Sequence, residues 1–309
     1  MSDIKLFQLG DNQNVVVELP SQAAKLEKDL QQLVEQHMDT FLGVRFLATE
    51  FSTSNGGRID SLGLDENGCP VIIEYKRHTN ENVINQGLFY YDWLLDHKAE
   101  FQLLVMKELT HDVAEAVEWE GARLICIASD FTKYDEHAIK QIDKNIELMR
   151  YKYFGADLLM LELVNTQTTK ANGAVKVSHQ PKRSKATSQD KSHKAMLETS
   201  SDKLLKLYDE LCDFCESLGD DAQRKELKLY TAFKRIKNFV SFHVLPQKKD
   251  ERIVMYLKVQ PGSIELEEGF TRDVTNTGHW GTGDLEVLIR TAQDIEKAKP
   301  LIQMSFENN

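Results

Sequence analysis

The sequence predicts two folded domains: an α/β domain built on a central mixed sheet flanked by helices, then a smaller α+β C-terminal domain. Three observations predict this. The chain has 309 residues, enough for two cores at roughly 100–200 residues per domain. Strand-like and helical runs alternate through the first half, the pattern of a layered α/β sheet. Between the halves lies a stretch without Phe, Tyr or Trp, NTQTTKANGAVKVSHQPKRSKATSQDKSHKAMLETS, rich in Ser, Thr, Lys and Gln. It cannot bury enough apolar surface to offset its chain entropy. The domains are therefore expected at 1–165 and 201–309, with 166–200 a basic flexible linker.

Each element has its own signal. LFQL and VVVEL are short apolar runs and read as strands. Ser21 is a helix-opening residue type, followed by Leu26, Leu30, Leu33, Val34 and Met38 at helical spacing. VRFLATEF reads as a strand. GRIDSLGL and PVIIEYK are two further strands, and the Asp65-Glu66-Asn67-Gly68 between them is a hairpin turn signal. A helix from about Asn80 to His97 carries Val83, Leu88, Tyr91 and Leu95 inward, with more helical material near 99–118. RLICIA and LLMLEL are strands, with YDEHAIKQIDKNIELMR a helix between them. In the second domain DKLLKLYDELCDFCESL and a stretch around LKLYTAFKRIKNF read as helices. SFHVLP and RIVMYLKVQP read as strands, and DLEVLIRTAQDIEKAKPLIQMSF as largely helical.

Composition narrows the function. Asp and Glu number 49 against 38 Lys and Arg, a net charge of −11, which disfavours coating nucleic acid or membrane by bulk charge. The excess is uneven: −13 over residues 1–165 (15 basic, 28 acidic), +5 over 166–200 (7 and 2) and −3 over 201–309 (16 and 19). No apolar run approaches the roughly 18 residues of a membrane span. The N-terminus lacks the basic-then-apolar order of a secretory signal. Four cysteines do not make a disulfide scaffold. The expectation is a cytoplasmic protein without a membrane partner.

The chemistry concentrates between Gly57 and Tyr90. In a hairpin centred on residue 67, Asp60 and Glu74 lie opposite each other, with Cβ atoms about 5 Å apart. Two carboxylates that close repel unless something positive sits between them. A divalent cation does this, and Mg²⁺ favours one or two carboxylates together with water and phosphate oxygens. Strand alternation puts Lys76 on the face of Glu74. Two carboxylates, a cation and an ammonium group suit phosphodiester hydrolysis: the cation acidifies a water, and the lysine orients it or stabilises developing charge. An acidic-x-Lys triplet by itself means little, for others occur at Asp3-Ile-Lys5, Asp96-His-Lys98 and Glu226-Leu-Lys228. Glu74-Tyr-Lys76 differs in ending an apolar strand with Asp60 across a hairpin.

GRIDSLGLDENGCPVIIEYKR followed by VINQGLFYYDWL resembles the PD-(D/E)xK nuclease superfamily, most closely NucS-like endonuclease domains, over roughly residues 20–165. The resemblance implies a restriction-endonuclease-like sheet and a Mg²⁺- or Mn²⁺-dependent nuclease acting on nucleic acid, DNA first, in repair or defence. It assigns Asp60, Glu74 and the Tyr75 carbonyl to the metal, Lys76 to catalysis, and Gln86 and Tyr90, one helical turn apart, to the same site. It also expects a Glu on the first helix, with Glu27 the best match as metal ligand and Glu35 in reserve; apart from the resemblance, Glu50, in ATEF, is a weaker carboxylate candidate near the same edge. No proline precedes Asp60. A homodimer is allowed for. The alternative is a catalytically inactive nuclease-fold module that binds nucleic acid or a protein. The C-terminal region resembles an uncharacterised conserved domain found fused to nuclease-like domains and sometimes labelled a transport protein, a label at odds with the lack of a membrane span.

Three other features read as structural. Cys212-Asp-Phe-Cys215 lies in an amphipathic helix with no second pair to complete a zinc site. Gly278–Asp284, GHWGTGD, lacks the strand–turn–helix setting of a phosphate loop, and His279 and Trp280 read as loop packing. Arg224, Lys225, Lys228, Lys234, Arg235 and Lys237 interleave with Tyr230, Phe233 and Phe239. That pattern can grip phosphates and stack bases, but a helix with its aromatics in the core is the simpler expectation.

Overall fold

In the computed structural model residues 4–10, 15–77, 82–167, 192–277 and 282–309 are described, and the chain divides into two units, Met1–Lys176 and Val177–Asn309. The first runs β1 (Leu6–Leu9), β2 (Val16–Leu19), β3 (Ser21–Gln22), α1 (Glu27–Gln36), α2 (Met38–Leu42), β4 (Val44–Ser52), β5 (Arg58–Asp65), β6 (Pro70–Lys76), α3 (Val83–Asp96), α4 (Lys98–Glu108), α5 (His111–Glu115), β7 (Arg123–Ala128), α6 (Lys133–Ile139), β8 (Ile146–Phe154) and β9 (Leu158–Gln167). Among the described residues β1 and β2 pair only with each other; the remaining strands form one sheet in the order β3-β8-β7-β6-β5-β4, with β9 also on β8. Strands β6, β7 and β8 are parallel and the other pairings antiparallel. The mixed α/β class is thus as the alternation of runs predicts.

The central strands are buried on both faces, hence their near-continuous apolar runs, RLICIA in β7 and PVII in β6. Side chains from α3 and α4 pack with Leu62, Ile72, Leu124, Cys126 and Leu148 on one face. The approach is close: a Cβ on Gly87 of α3 would lie 2.6 Å from Leu124. By strand alternation Ser61, Ile73 and Tyr75 face the other way, and there α1 meets the sheet.

The second unit runs α7 (His193–Thr199), α8 (Asp202–Ser217), β10 (Gln223–Glu226), β11 (Thr231–Lys234), β12 (Asn238–Leu245), β13 (Arg252–Leu257), β14 (Thr271–Asp273), β15 (Leu285–Ile289) and α9 (Ala292–Glu307). Its strands form an antiparallel sheet, β10-β11-β12-β13-β15-β14. Alternate residues Val240, Phe242, Val244, Ile253, Met255, Leu257, Leu285 and Val287 face α8 and α9, which contribute Leu204, Leu211, Ile295 and Ile302. Cys212 and Cys215 are buried core thiols, and burial pushes both pKa values up.

Several expectations are corrected. The helix expected over 134–150 stops at Ile139, and Ile146–Arg150 instead joins the parallel ladder beside β7. A short apolar run does not reveal its period, and burial in the sheet decides. The helix around 227–239 is a hairpin, β11 to β12, whose turn closes through Arg235 N–H to the Lys237 carbonyl. Of its basic and aromatic residues Phe233, Lys234 and Phe239 lie on these strands, and Lys228, Tyr230, Arg235 and Lys237 in the connections, with Phe233 and Phe239 fully buried. The tail begins as strand β15 before α9 starts at the Thr291 cap. Ser21 lies in β3, so α1 begins six residues later, and Leu26 is exposed. Of the expected linker, Thr166 and Gln167 end β9, and Ser192 caps α7 by accepting from the Ala195 N–H. Residues 168–191, 278–281 (which include His279 and Trp280) and the helix start near Asn80 lie outside the described residues.

His193, at the start of α7, is buried, with Nε2 2.8 Å from Thr231 Oγ1 and 3.2 Å from the Tyr208 hydroxyl. Burial, then His243 and Arg224, push its pKa down to about 4. The unfolded imidazole titrates near 6.5, so between these values the unfolded chain binds the extra proton. Stability is full above about pH 6.5 and falls toward pH 4, by up to about 3 kcal/mol. Urea unfolding of the chain between pH 4 and 7 should show this slope reduced in His193→Gln; an unchanged slope would remove the assignment.

Candidate active site

The β5–β6 pairing runs Leu64↔Pro70, Gly63↔Val71, Leu62↔Ile72, Ser61↔Ile73 and stops. β5 continues to Arg58 along β4, while β6 continues to Lys76 along β7. The strands part after Ser61 and Ile73, and Asp60 and Glu74 are the first residues beyond the fork. They are therefore opposed, as the hairpin arithmetic expects. Each carboxylate takes a backbone donor that the ladder no longer uses: Asp60 N–H donates to Glu74 Oε1 (3.3 Å), and Tyr75 N–H to Asp60 Oδ2 (3.0 Å). Glu74 is fully buried, and its Oε2 has no hydrogen-bond partner.

The electrostatics follow from burial. Desolvation, then the Asp60 charge, pushes Glu74 up to about 9. Asp60 is raised too, chiefly by burial, against the pull of the Tyr75 N–H and Lys76 and with Glu27 and Glu50 adding to the rise. Two carboxylates with raised pKa values on one fork form a site for a proton or a cation.

Lys76 ends β6, and its ammonium group lies 3.2 Å from Glu27 Oε1; Glu27 Oε2 accepts from the Arg77 N–H (2.9 Å). Glu27 is thus brought beside Lys76, on the first turn of α1. Gln86 donates to the Tyr90 hydroxyl (3.4 Å), which also accepts from the Arg58 N–H (3.2 Å), two residues before Asp60. Gly57 makes this approach feasible, since a Cβ there would lie 2.4 Å from Tyr90 Cε1. Glu35 reaches Ser61 Oγ (2.6 Å) on the α1 face of the sheet, and Glu50 pairs with Arg58.

Among the described residues no three His, Cys, Asp or Glu side chains gather as a metal-holding group. The two opposed carboxylates, one with an orphaned buried oxygen, still fit a cation such as Mg²⁺, which takes one or two carboxylates and completes its shell with water. Two features were missed in the sequence. Gln31 bonds the Asp60 carbonyl (2.9 Å), and Glu50 has φ +50° in the left-handed region. Glu27, Gln31 and Glu35 recur every four residues, so the stripe was there to be read on α1. The backbone strain at Glu50 leaves no mark in sequence.

The molecule is thus a two-unit α/β and α+β protein with paired acids and a lysine at a strand fork. Residues 193–309 match the family model of a domain of unknown function, DUF5655. The chain belongs to the family of an uncharacterized protein of Haemophilus influenzae, with 30% identity over 300 residues, 94% of this chain and 96% of the relative. Among solved structures it is similar to a repair endonuclease from Pyrococcus abyssi (TM-score 0.29, 18% identity, 41% of this chain and 47% of that one). It is also similar to an EndoMS–dsDNA complex (TM-score 0.25, 16% identity, 47% and 65%). The chain spans less than two thirds of either solved chain. No helix among the described residues is long and apolar enough to cross a membrane.

Proposed function

We propose that the N-terminal unit is a divalent-metal-dependent phosphodiesterase that cleaves DNA. The observation that carries this reading is the fork: Asp60 and Glu74 opposed, Glu74 Oε2 buried without a partner, and the Lys76 ammonium at the end of the same strand. The motif resemblance of residues 57–90 supports it. Asp60 and Glu74 would hold Mg²⁺ or Mn²⁺, with the Tyr75 carbonyl and, through water, Glu27. When bound, the cation acidifies a water and offsets charge on the phosphate.

The chain's own groups do the positioning. Glu27 holds Lys76 in place, so that its ammonium can orient the attacking water and stabilise the charge that develops on the phosphate. The Tyr90 hydroxyl accepts two hydrogen bonds, from Gln86 and the Arg58 amide, which leaves its proton free for a phosphate oxygen.

Labelled single-stranded, double-stranded and branched DNA tests this, with Mn²⁺ or EDTA, beside Glu74→Ala and Lys76→Ala. Cleavage should need the metal and fall about 100-fold or more in each variant. Cleavage that survives both substitutions would overturn the mechanism. A wild type that cuts none of the three substrates would point to the binding module instead.

A further inference from the structure

Asp60 has no partner in the register of either neighbouring strand. On the β4 side Thr49↔Ser61 and Phe51↔Ile59 flank it, and the residue between, Glu50, is turned into the left-handed region. On the β6 side pairing ends at Ser61↔Ile73. A peptide group that leaves the ladder loses its strand partner and is stabilised only if another group satisfies it. Two side chains do so: the Asp60 amide donates to Glu74, and the Asp60 carbonyl accepts from Gln31 Nε2 at 2.9 Å.

Gln31 is itself held. It is buried against the sheet, and its Nε2 lies 3.0 Å from Glu35 Oε1 and 3.2 Å from Thr49 Oγ1. Ser61, next to Asp60, donates to the same Glu35 oxygen at 2.6 Å, and the Tyr75 hydroxyl lies 3.3 Å from Ser61 Oγ. The chain of contacts runs from α1 through the Asp60 peptide to Glu74, and through the Asp60 carboxylate to the Tyr75 amide. An uncharged donor is required at this position. A carboxylate would face the Asp60 carbonyl and the Glu35 charge, and an apolar side chain would leave the carbonyl bare.

We infer that Gln31 is a positioning residue: by holding the Asp60 carbonyl from α1 it sets the gap between the Asp60 and Glu74 carboxylates at the strand fork. The role toward a cation rests on the proposed function; the role toward the fork does not. Without Gln31 the Asp60 carbonyl loses this donor, the end of the ladder at Ser61 is less firmly held, and the Asp60 carboxylate loses its fixed angle to the Tyr75 amide.

The test is Gln31→Met, similar in size but without a donor, beside Gln31→Glu and a Thr49→Val control, in the full chain. Hydrogen exchange followed by mass spectrometry on the metal-free protein should show peptides covering Asp60 and Tyr75 exchanging about tenfold faster in Gln31→Met. The β7 peptide should be unchanged. Mn²⁺ affinity, by calorimetry without DNA, should fall about 10–100-fold, and further in Gln31→Glu. In cleavage kcat should fall more than KM. Exchange at Asp60 and Tyr75 equal to wild type would overturn the inference, as would acceleration spread equally over β7, the sign of general loosening. A wild type that binds no Mn²⁺ would sink the proposed function instead, and exchange alone would then decide the role of Gln31.

Discussion

Replacing Arg123 with alanine is expected to lower the stability of the N-terminal unit by about 3–5 kcal/mol. Its guanidinium Nη1 bonds both oxygens of Glu147, at 2.9 and 2.8 Å, and its Nε lies 3.4 Å from Asp65. All three side chains are at least nine-tenths buried. Removing the cation leaves two carboxylates out of water with no counter-charge, which costs far more than the pair contributes when complete. The damage should also reach the hairpin. Asp65 accepts from the Asn67 and Cys69 amides, both at 2.9 Å, and so shapes the turn from which β6 starts. Arg123→Lys should recover part of the loss, since a single ammonium cannot reproduce the forked contact. Urea unfolding followed by far-UV circular dichroism and tryptophan fluorescence reads the effect. A loss below about 1 kcal/mol would show that the triad is not under the strain its burial implies.

Glu74→Gln should move stability and activity in opposite directions. In the unfolded chain Glu74 ionises near 4.5, while in the cation-free fold its pKa is pushed up to about 9. Between those values folding takes up a proton, so the native state binds more protons than the unfolded one. Wild-type stability then falls as pH rises through this window, by about 1.4 kcal/mol per pH unit. Glutamine has nothing to take up. The two proteins should be alike below about pH 4.5, and at pH 7 in EDTA the substituted protein should be more stable by on the order of 3 kcal/mol. Saturating Mn²⁺ should narrow the gap, because a bound cation favours the ionised carboxylate. Cleavage, meanwhile, should drop as in Glu74→Ala. Thermal melts between pH 4 and 9, with EDTA and with Mn²⁺, decide it. A Glu74→Gln protein less stable than wild type at pH 7 in EDTA would mean that the carboxylate is at ease where it lies.

The parts of the site that sequence exposed share one property: they depend on short-range geometry. The Asp65–Gly68 turn sets the register, and the register opposes Asp60 to Glu74. The four-residue spacing of Gln86 and Tyr90 puts them within one hydrogen bond of each other. The misreadings fail for the complementary reason. IELMR and TAFKRIKNF are short apolar or mixed runs whose period is ambiguous. Ile146–Arg150 became strand because β7 offered a ladder, and Phe233 and Val240 paired because a turn at Arg235–Lys237 restarted the alternation. Leu26 fits the apolar stripe of α1 by spacing, yet it sits at the cap and faces water.

By itself, then, the sequence determined the mixed α/β class of the first unit and the pairing of two acids with a lysine near the end of one hairpin. These follow from composition, periodicity and turn chemistry, which act over a few residues. Only the tertiary structure decided where the hairpin opens, that Glu74 keeps a buried oxygen without a partner, that Glu27 holds Lys76, and that Gln31 takes the carbonyl a strand would have taken. The last two depend on helix α1, which lies more than twenty residues before the hairpin in the chain but packs against it in the fold. Burial sets the charge state of Glu74, and burial is a property of everything packed around a residue rather than of its neighbours in sequence.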